Sequence, residues 1–506
     1  MTDPDEDSAA QGKSAVIRSA MSRRQLLKVA GSSLAASALV STPAAMGQSR
    51  DPAPPRQSDL TGRLARYMVA ARDAALPGAV VLEAKHRILD TLGAIVSGAR
   101  LKPGEVAVNY VRGLGGTPEA SVATTDILTN AVNAALTNAM FAHADETDDF
   151  HPFTKAHPGC AVVPAALAMG ERQGSSGTEL LRAIVLGYDC ACRILMALGP
   201  AFVRARNRSA EGYSSTFGAA AAAASLARFD ELHMRYAISF AVQQISGVWS
   251  WTRDVEHIEK AFDFSGMGAR NGVAAATMVQ AGFTGVTDAL DGTQNFIDAL
   301  STEPAAEELV ADLGSRFYVQ ETAIKTYPVG YPIQSPLAAL MQLREEQGFA
   351  TADVDRLVVR LPADGARIVD SRSMPDVNVQ HILAMALVDG HIDFENSHSF
   401  DRMQDPAVLN VKQRIELIAD EDLVVVDAPR SGYVEVRLKD GHRFDRFVSH
   451  APGTPENPLD TAGVAAKARS LMQPVLGAER TSELIRQVEN LERLDDTREL
   501  RPLITV

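Results

Sequence analysis

The sequence predicts a mainly α-helical fold, with a large all-helical domain built from both chain ends and a smaller α+β unit inserted between them. Three observations predict it. Apolar residues recur at helical spacing from Leu60 to about Leu300. Polar and apolar residues then alternate on either side of Asp440-Gly441, a strong short-range hairpin signal. Helical spacing returns from Thr461 to Leu491, after Pro452 and Pro455. A helical tail after an α+β insert brings the two ends of the chain into one helical domain.

Taken in order, residues 1–47 read as an export signal. Arg23-Arg24 stands just before a weakly apolar stretch, Val29 to Val40, that is too short for the roughly 20 residues a membrane span needs. Ala45-Met46-Gly47 supplies the small-residue end. The arginine pair with Lys28 is the pattern of the twin-arginine route. The expected location is therefore periplasmic or extracellular, with the twin-arginine export machinery as a partner of the precursor. Residues 48–59 hold three prolines and read as a flexible tether.

Residues 60–321 form the first part of the helical domain. Val80 to Ser97, Asn130 to Ala144, Ala161 to Arg172 and Glu179 to Leu198 carry the helical period. Gly218 to Arg228 is nearly all alanine and Gly272 to Ala281 repeats the theme, so backbones can pack closely in a buried bundle. Residues 322–450 form the α+β unit. Val354 to Leu361 is β-like, Leu423 to Val426 is a short β-branched run, and Tyr433 to Leu438 with Arg443 to Val448 form the hairpin. Residues 451–506 complete the helical domain.

A formal net charge of −14 opposes phosphate backbones and argues against nucleic acid as a partner. It leaves room for an anionic small substrate in a locally basic pocket. After the signal, no stretch is long and apolar enough for a membrane span, so the mature form is expected to have no membrane contact. Cys160, Cys190 and Cys192 are an odd set without metal spacing and read as small buried hydrophobes.

The densest polar cluster runs from His143 to Gly159, with Asp145, Glu146, Asp148, Asp149, His151, Lys155 and His157 in one loop between helices. Its residue types suit general acid/base chemistry by His157 and Asp145, because histidine titrates near neutrality and a carboxylate orients it. They also suit a metal site, although the spacing matches neither HExxH nor an EF-hand. A solvated, helix-capping loop accounts for one or two of the acids and leaves the concentration of histidine unexplained. Lys260, in His257-Ile258-Glu259-Lys260, and Lys325, in Lys325-Thr326-Tyr327-Pro328, stand out only by context.

Together these segments resemble the MmgE/PrpD family, which includes 2-methylcitrate dehydratase, cis-aconitate decarboxylase and iminodisuccinate epimerase. The resemblance spans about residues 60 to 500. It rests on Leu76-Pro77 through Gly93, on His143 to Asp149 with His157-Pro158-Gly159, on Lys260 with Gly272 to Gly285, on Lys325 to Pro328, and on Asp405-Pro406 with Ile418-Ala419-Asp420. It implies a helical domain with an α+β lid, no cofactor, no metal and a homodimer. It also implies a pocket of Asp145, His157, Lys260 and Lys325, with Asp149 and Gln334 as substrate contacts. The implied activity is a lyase acting on a small carboxylic acid by proton abstraction beside a carboxylate. A 2-methylcitrate dehydratase-like hydro-lyase stands first, and a decarboxylase, an isomerase or epimerase, or a metal-dependent hydrolase are the alternatives. A solute-binding protein ranks below these, since no repeated βαβ units occur.

This sequence departs from the family pattern at two places. Glu211 to Gly218 lacks the histidine that relatives carry before the alanine-rich helix, and Gln334 stands where relatives often have another histidine. Both changes remove potential cations, which predicts a substrate with fewer carboxylates than methylcitrate, or a different acid.

Overall fold

Helices form where the apolar spacing places them, and local chemistry sets their ends. In this computed structural model residues 59–505 are described. The export signal at 1–47 and most of the tether lie outside them; Asp59 caps the first helix, Leu60–Ala71, by accepting from the Gly62 amide at 3.0 Å. Asn130 caps Ala131–Ala144 in the same way. Ser176 and Glu179 form a capping box at the start of Gly177–Leu198. The C-terminal run divides at Gly477 (φ +80°) into Thr461–Leu476 and Ala478–Glu489.

The glycine- and alanine-rich helices pack backbone against backbone. A Cβ on Gly272, in Met267–Gln280, would sit 2.4 Å from the Ala220 amide nitrogen in Ala210–Leu226. One on Gly218 would sit 2.8 Å from the Gly187 carbonyl in Gly177–Leu198. Small side chains therefore bring three helices together at a distance that larger residues forbid. Thr461–Leu476 lies along Gly78–Gly98, where Gly93 approaches Leu471 and the Ala468 backbone. Both ends of the described chain thus contribute to one hydrophobic core, from Leu60 to Ile324 and again from Val464 to Ile504.

A second core is built from residues between Val329 and Val448. Its four-stranded sheet runs in the order Ile415–Asp420, Val354–Pro362, Gly432–Leu438, Arg443–Val448. The first pair is parallel, with Val359 opposite Leu417, and helices span the crossover. The other pairings are antiparallel. The hairpin forms at Asp440-Gly441, where Gly441 takes φ +94° and Tyr433 pairs with Phe447. One expected strand is displaced. Leu423 to Val426 is not paired; Val426 is 75% exposed, and Ile415–Asp420 forms the edge strand instead. β-Branching marked the wrong segment because pairing with Val354–Pro362, rather than local preference, decides which residues join the sheet.

The helical content agrees with the expected mainly α class. Among the described residues no helix is long and apolar enough to cross a membrane. Cys160, Cys190 and Cys192 are buried and free.

Candidate active site

The acidic loop joins two buried helices, Ala131–Ala144 and Gly159–Gln173, and is itself buried from Asp145 to Phe150. Carboxylates in such a place require partners. Asp148 has three. Its carboxylate lies 2.9 Å from His143 Nδ1, 2.9 Å from His157 Nδ1 and 3.1 Å from Lys325 Nζ. Burial alone would raise its pKa; His143, Lys325 and His157 outweigh that and hold it well below the usual carboxylate range. Burial pushes His143 well below its ordinary value, against the pull of Asp148.

Glu146 carries the second set of contacts. It takes φ +54°, in the left-handed region, and its carbonyl accepts from Lys325 Nζ at 2.7 Å. Its carboxylate meets the Lys260 ammonium and lies 3.3 Å from His257 Nε2. His257 is also left-handed, at φ +63°. Backbone strain of this kind persists where the surroundings dictate it, and here it stands at both ends of the Glu146–His257 contact.

Two distant segments deliver the lysines. Lys260 lies in the short helix Ile258–Ala261, which continues through one π turn, Phe262–Gly266, into Met267–Gln280. Such a turn re-aims the side chains that precede it. The Lys260 ammonium lies over the Phe264 ring at 4.9 Å. Lys325 is brought in by a backbone exchange, with Phe150 and Ala323 each donating to the other's carbonyl at 3.0 and 2.7 Å. From the second core, His398 reaches the Asp145 carbonyl at 3.0 Å and lies 3.7 Å from Asp376.

His157, Lys260 and Lys325 are thus brought together, and the carboxylate on the His157 ring belongs to Asp148 rather than Asp145. Asp145 accepts from the Ser97 hydroxyl and from the Thr147 amide at 3.2 Å. Burial, only partly opposed by His398, lifts its pKa to about 6. Asp149 accepts from the Gly159 amide at 2.9 Å and so ties the loop to the following helix. Burial raises it to about 6 as well, against Arg87. Gln334 is not free to contact a substrate. Its Oε1 accepts from the Thr326 and Tyr327 amides at 3.1 Å each, and its Nε2 donates to the Tyr327 and Val329 carbonyls at 2.8 and 3.0 Å. It clamps the turn that follows Lys325.

Sequence reasoning left open which of Asp145, Asp148 and Asp149 faces the pocket, and it did not single out His143, Glu146, His257, Asp376 or His398. His143 and Glu146 lay in the flagged cluster and His257 stands three residues before Lys260. Asp376 and His398 carried no local signal.

The cavity lies between the two cores. His157, Lys260, Glu146, Phe264 and Trp251 line it from the helical side, and Tyr331, Pro332, Ile368 and Arg430 from the other. Since Asp148 holds His157 Nδ1, Nε2 is the ring nitrogen left for chemistry. Donor atoms of His143, Glu146 and His257 lie close enough together to suit a metal ion. Lys260 and Lys325 Nζ already sit at the Glu146 carboxylate, however, and leave its oxygens engaged rather than open to an ion. The donor set fits an ion-paired acid/base site better than a metal site.

Comparison with known proteins identifies the family. The MmgE/PrpD N-terminal domain model matches residues 62–309 and the MmgE/PrpD C-terminal domain model matches residues 327–493. A cis-aconitate decarboxylase of Aspergillus terreus is 25% identical over 85% of this chain and 92% of its own length. The human cis-aconitate decarboxylase is 25% identical over 84% of this chain and 90% of its own. A cis-aconitate decarboxylase-like protein, oryM, of Aspergillus oryzae is 22% identical over 89% and 98%. With both domain models matched across most of the chain, around a buried histidine–aspartate–lysine site, this protein belongs to the MmgE/PrpD family, a family of lyase type.

Proposed function

We propose that this chain is a cofactor-independent lyase that decarboxylates an unsaturated polycarboxylic acid of the cis-aconitate kind. The observation that carries the reading is His157, bound through Nδ1 to a buried Asp148, facing a cavity that also holds Lys260. As CO2 leaves, the C–C bond to one carboxylate breaks. Its electron pair passes into the conjugated system, and a carbon must then take up a proton. His157 Nε2 is the donor in this reading, and Asp148 holds the ring and balances its charge. Lys260 steadies a carboxylate that gains charge as the bond breaks. The names of the related proteins favour decarboxylation over the dehydration expected from sequence.

Dehydration of a hydroxy acid is the second reading. The pairing of two proton-carrying groups, His157 and Lys260, on one cavity favours it, because one can take the carbon proton and the other protonate the departing hydroxide. In either case the residues between Val329 and Val448 act as a lid that excludes water. Export by the twin-arginine route, from Ser22 to Lys28, and a homodimer complete the proposal.

The test is turnover of cis-aconitate by the purified chain in deuterated water, followed by NMR, alongside 2-methylcitrate and a panel of hydroxy acids. Release of CO2 with one solvent deuteron on product carbon is expected. Water loss from a hydroxy acid without CO2 would favour dehydration, and turnover of none of these acids would overturn the lyase reading.

A further inference from the structure

Lys155 was part of the acidic cluster but had no role in the chemistry above. It lies in the turn His151 to Ala156, which is tightly held: the His151 amide donates to the Ala156 carbonyl at 2.8 Å, the Lys155 amide to the His151 carbonyl at 2.9 Å, and the Thr154 hydroxyl lies 2.7 Å from His151 Nδ1. His151, Thr154 and Ala156 are buried, whereas Lys155 has φ +64°, in the left-handed region. A lysine in that conformation is unfavourable by about 1 kcal/mol or more, so the turn is imposed by its surroundings.

Its side chain lies where two cavities meet. One is the inner cavity with His157 and Lys260; the other is an outer bay lined by Arg204, Trp249, Arg367 and Arg372. Three cations, Lys155, Arg204 and Arg430, border the inner cavity beyond His157 and Lys260. Arg204 is paired with Glu211 at 2.8 Å and Arg430 with Asp364 at 2.8 Å. The Lys155 ammonium has no hydrogen-bond or ion-pair partner among the described residues, and the buried Arg430 Nε has none either. The neck of the cavity therefore holds one unpartnered basic side chain beside two paired arginines.

We propose that Lys155, flanked by Arg204 and Arg430, is the binding residue for a second carboxylate of the substrate, remote from the one held at Lys260. This places the far end of the polycarboxylate of the proposed function on Lys155, and selectivity over a monocarboxylate then depends on that residue. The proposal rests on the reading that the cavity binds a carboxylic acid. It also revises the expectation of fewer carboxylates. Basic side chains stand at the cavity neck of this chain, Lys155 in the turn and Arg204 paired to Glu211. Burial, then the Arg430 charge, only partly offset by Asp364, push the Lys155 ammonium down to about 6, which a bound carboxylate would reverse.

The experiment is calorimetric titration of the full-length protein with tricarballylate, a saturated tricarboxylate, and with crotonate, a monocarboxylate. It compares wild type, Lys155→Met and Lys155→Arg. Loss of one charge-assisted hydrogen bond predicts tricarballylate binding weakened about 10- to 100-fold in Lys155→Met. Lys155→Arg should restore most of it, and crotonate binding should change little. Thermal melting of Lys155→Met should match wild type, because no side-chain contact is lost. Unchanged tricarballylate affinity in Lys155→Met, equal loss in Lys155→Arg, or wild-type binding of tricarballylate no tighter than crotonate would each overturn the proposal. Cis-aconitate turnover, measured in parallel, separates the two claims. Without turnover but with Lys155-dependent binding, the functional reading falls and the anion site stands; turnover with Lys155-independent binding overturns the anion site alone.

Discussion

Replacing Asp148 by Asn removes one negative charge from the centre of the site and leaves the shape almost unchanged. Three groups lose a carboxylate partner: His143 Nδ1 and His157 Nδ1, each at 2.9 Å, and Lys325 Nζ at 3.1 Å. Asp148 and Lys325 are fully buried, so water does not replace the lost partner. At an effective dielectric constant near 20, a unit charge pair about 3 Å apart is worth roughly 5 kcal/mol before desolvation. Neutralising one member of a buried pair costs about 3–5 kcal/mol. Glu146 remains 3.6 Å from Lys325 and softens the loss, so the lower end, about 3 kcal/mol, is expected. Asp145→Asn provides the contrast. Burial lifts the Asp145 carboxyl to about 6, so its charged form is disfavoured and the amide should be tolerated. The assays are urea denaturation for stability and turnover of cis-aconitate for activity, where Asp148→Asn should fall about 10²- to 10⁴-fold through loss of His157 orientation. The acid side gives a further check. The Asp148 pKa is depressed in the folded state, so its stabilisation is present above the ordinary carboxylate value and is lost as pH falls through the depressed one. Asp145→Asn damaging both readouts while Asp148→Asn is tolerated would refute the assignment.

Other outcomes follow from the same structure. Asp149 has a folded-state pKa raised to about 6, so its contribution is present below the unfolded value of 3.8 and lost as pH rises through 6; the stability advantage of wild type over Asp149→Asn should therefore grow between pH 7 and pH 5 in denaturant titrations. Gln334→Ala leaves the Thr326 and Tyr327 amides without their acceptor and should lower stability by about 1–3 kcal/mol in a urea melt. Gly272→Ala forces a methyl against the Ala220 backbone and should cost about 1–3 kcal/mol, visible as a lower melting temperature.

Local chemistry made most of the helical layer legible. The period of Val80 to Ser97 and the Asp440-Gly441 turn each act over a few residues, and each acts as the sequence indicates. The alanine and glycine runs announced close helix packing, because only small side chains permit it. The segments His143 to His157, Lys260 and Lys325 carry a sequence signal, and the fold brings them together.

Tertiary structure alone decided which members of these segments meet. Asp145, Asp148 and Asp149 are near neighbours of the same type, and nothing local distinguishes them. The left-handed turn at Glu146 and the Phe150–Ala323 exchange set which carboxylate meets His157 and Lys325. Gln334 looked like a substrate contact by position and is a backbone clamp by hydrogen bonding. His398, Asp376 and Arg430 arrive from the second core across more than two hundred residues of chain, and the edge strand went to Ile415–Asp420 rather than to the β-branched run beside it. The amino-acid sequence by itself determined the helices, their caps and the residue types of the pocket, since these depend on short-range sterics and hydrogen bonding. Charge pairing and strand partnership depend on distances between remote segments, and only the folded chain sets those.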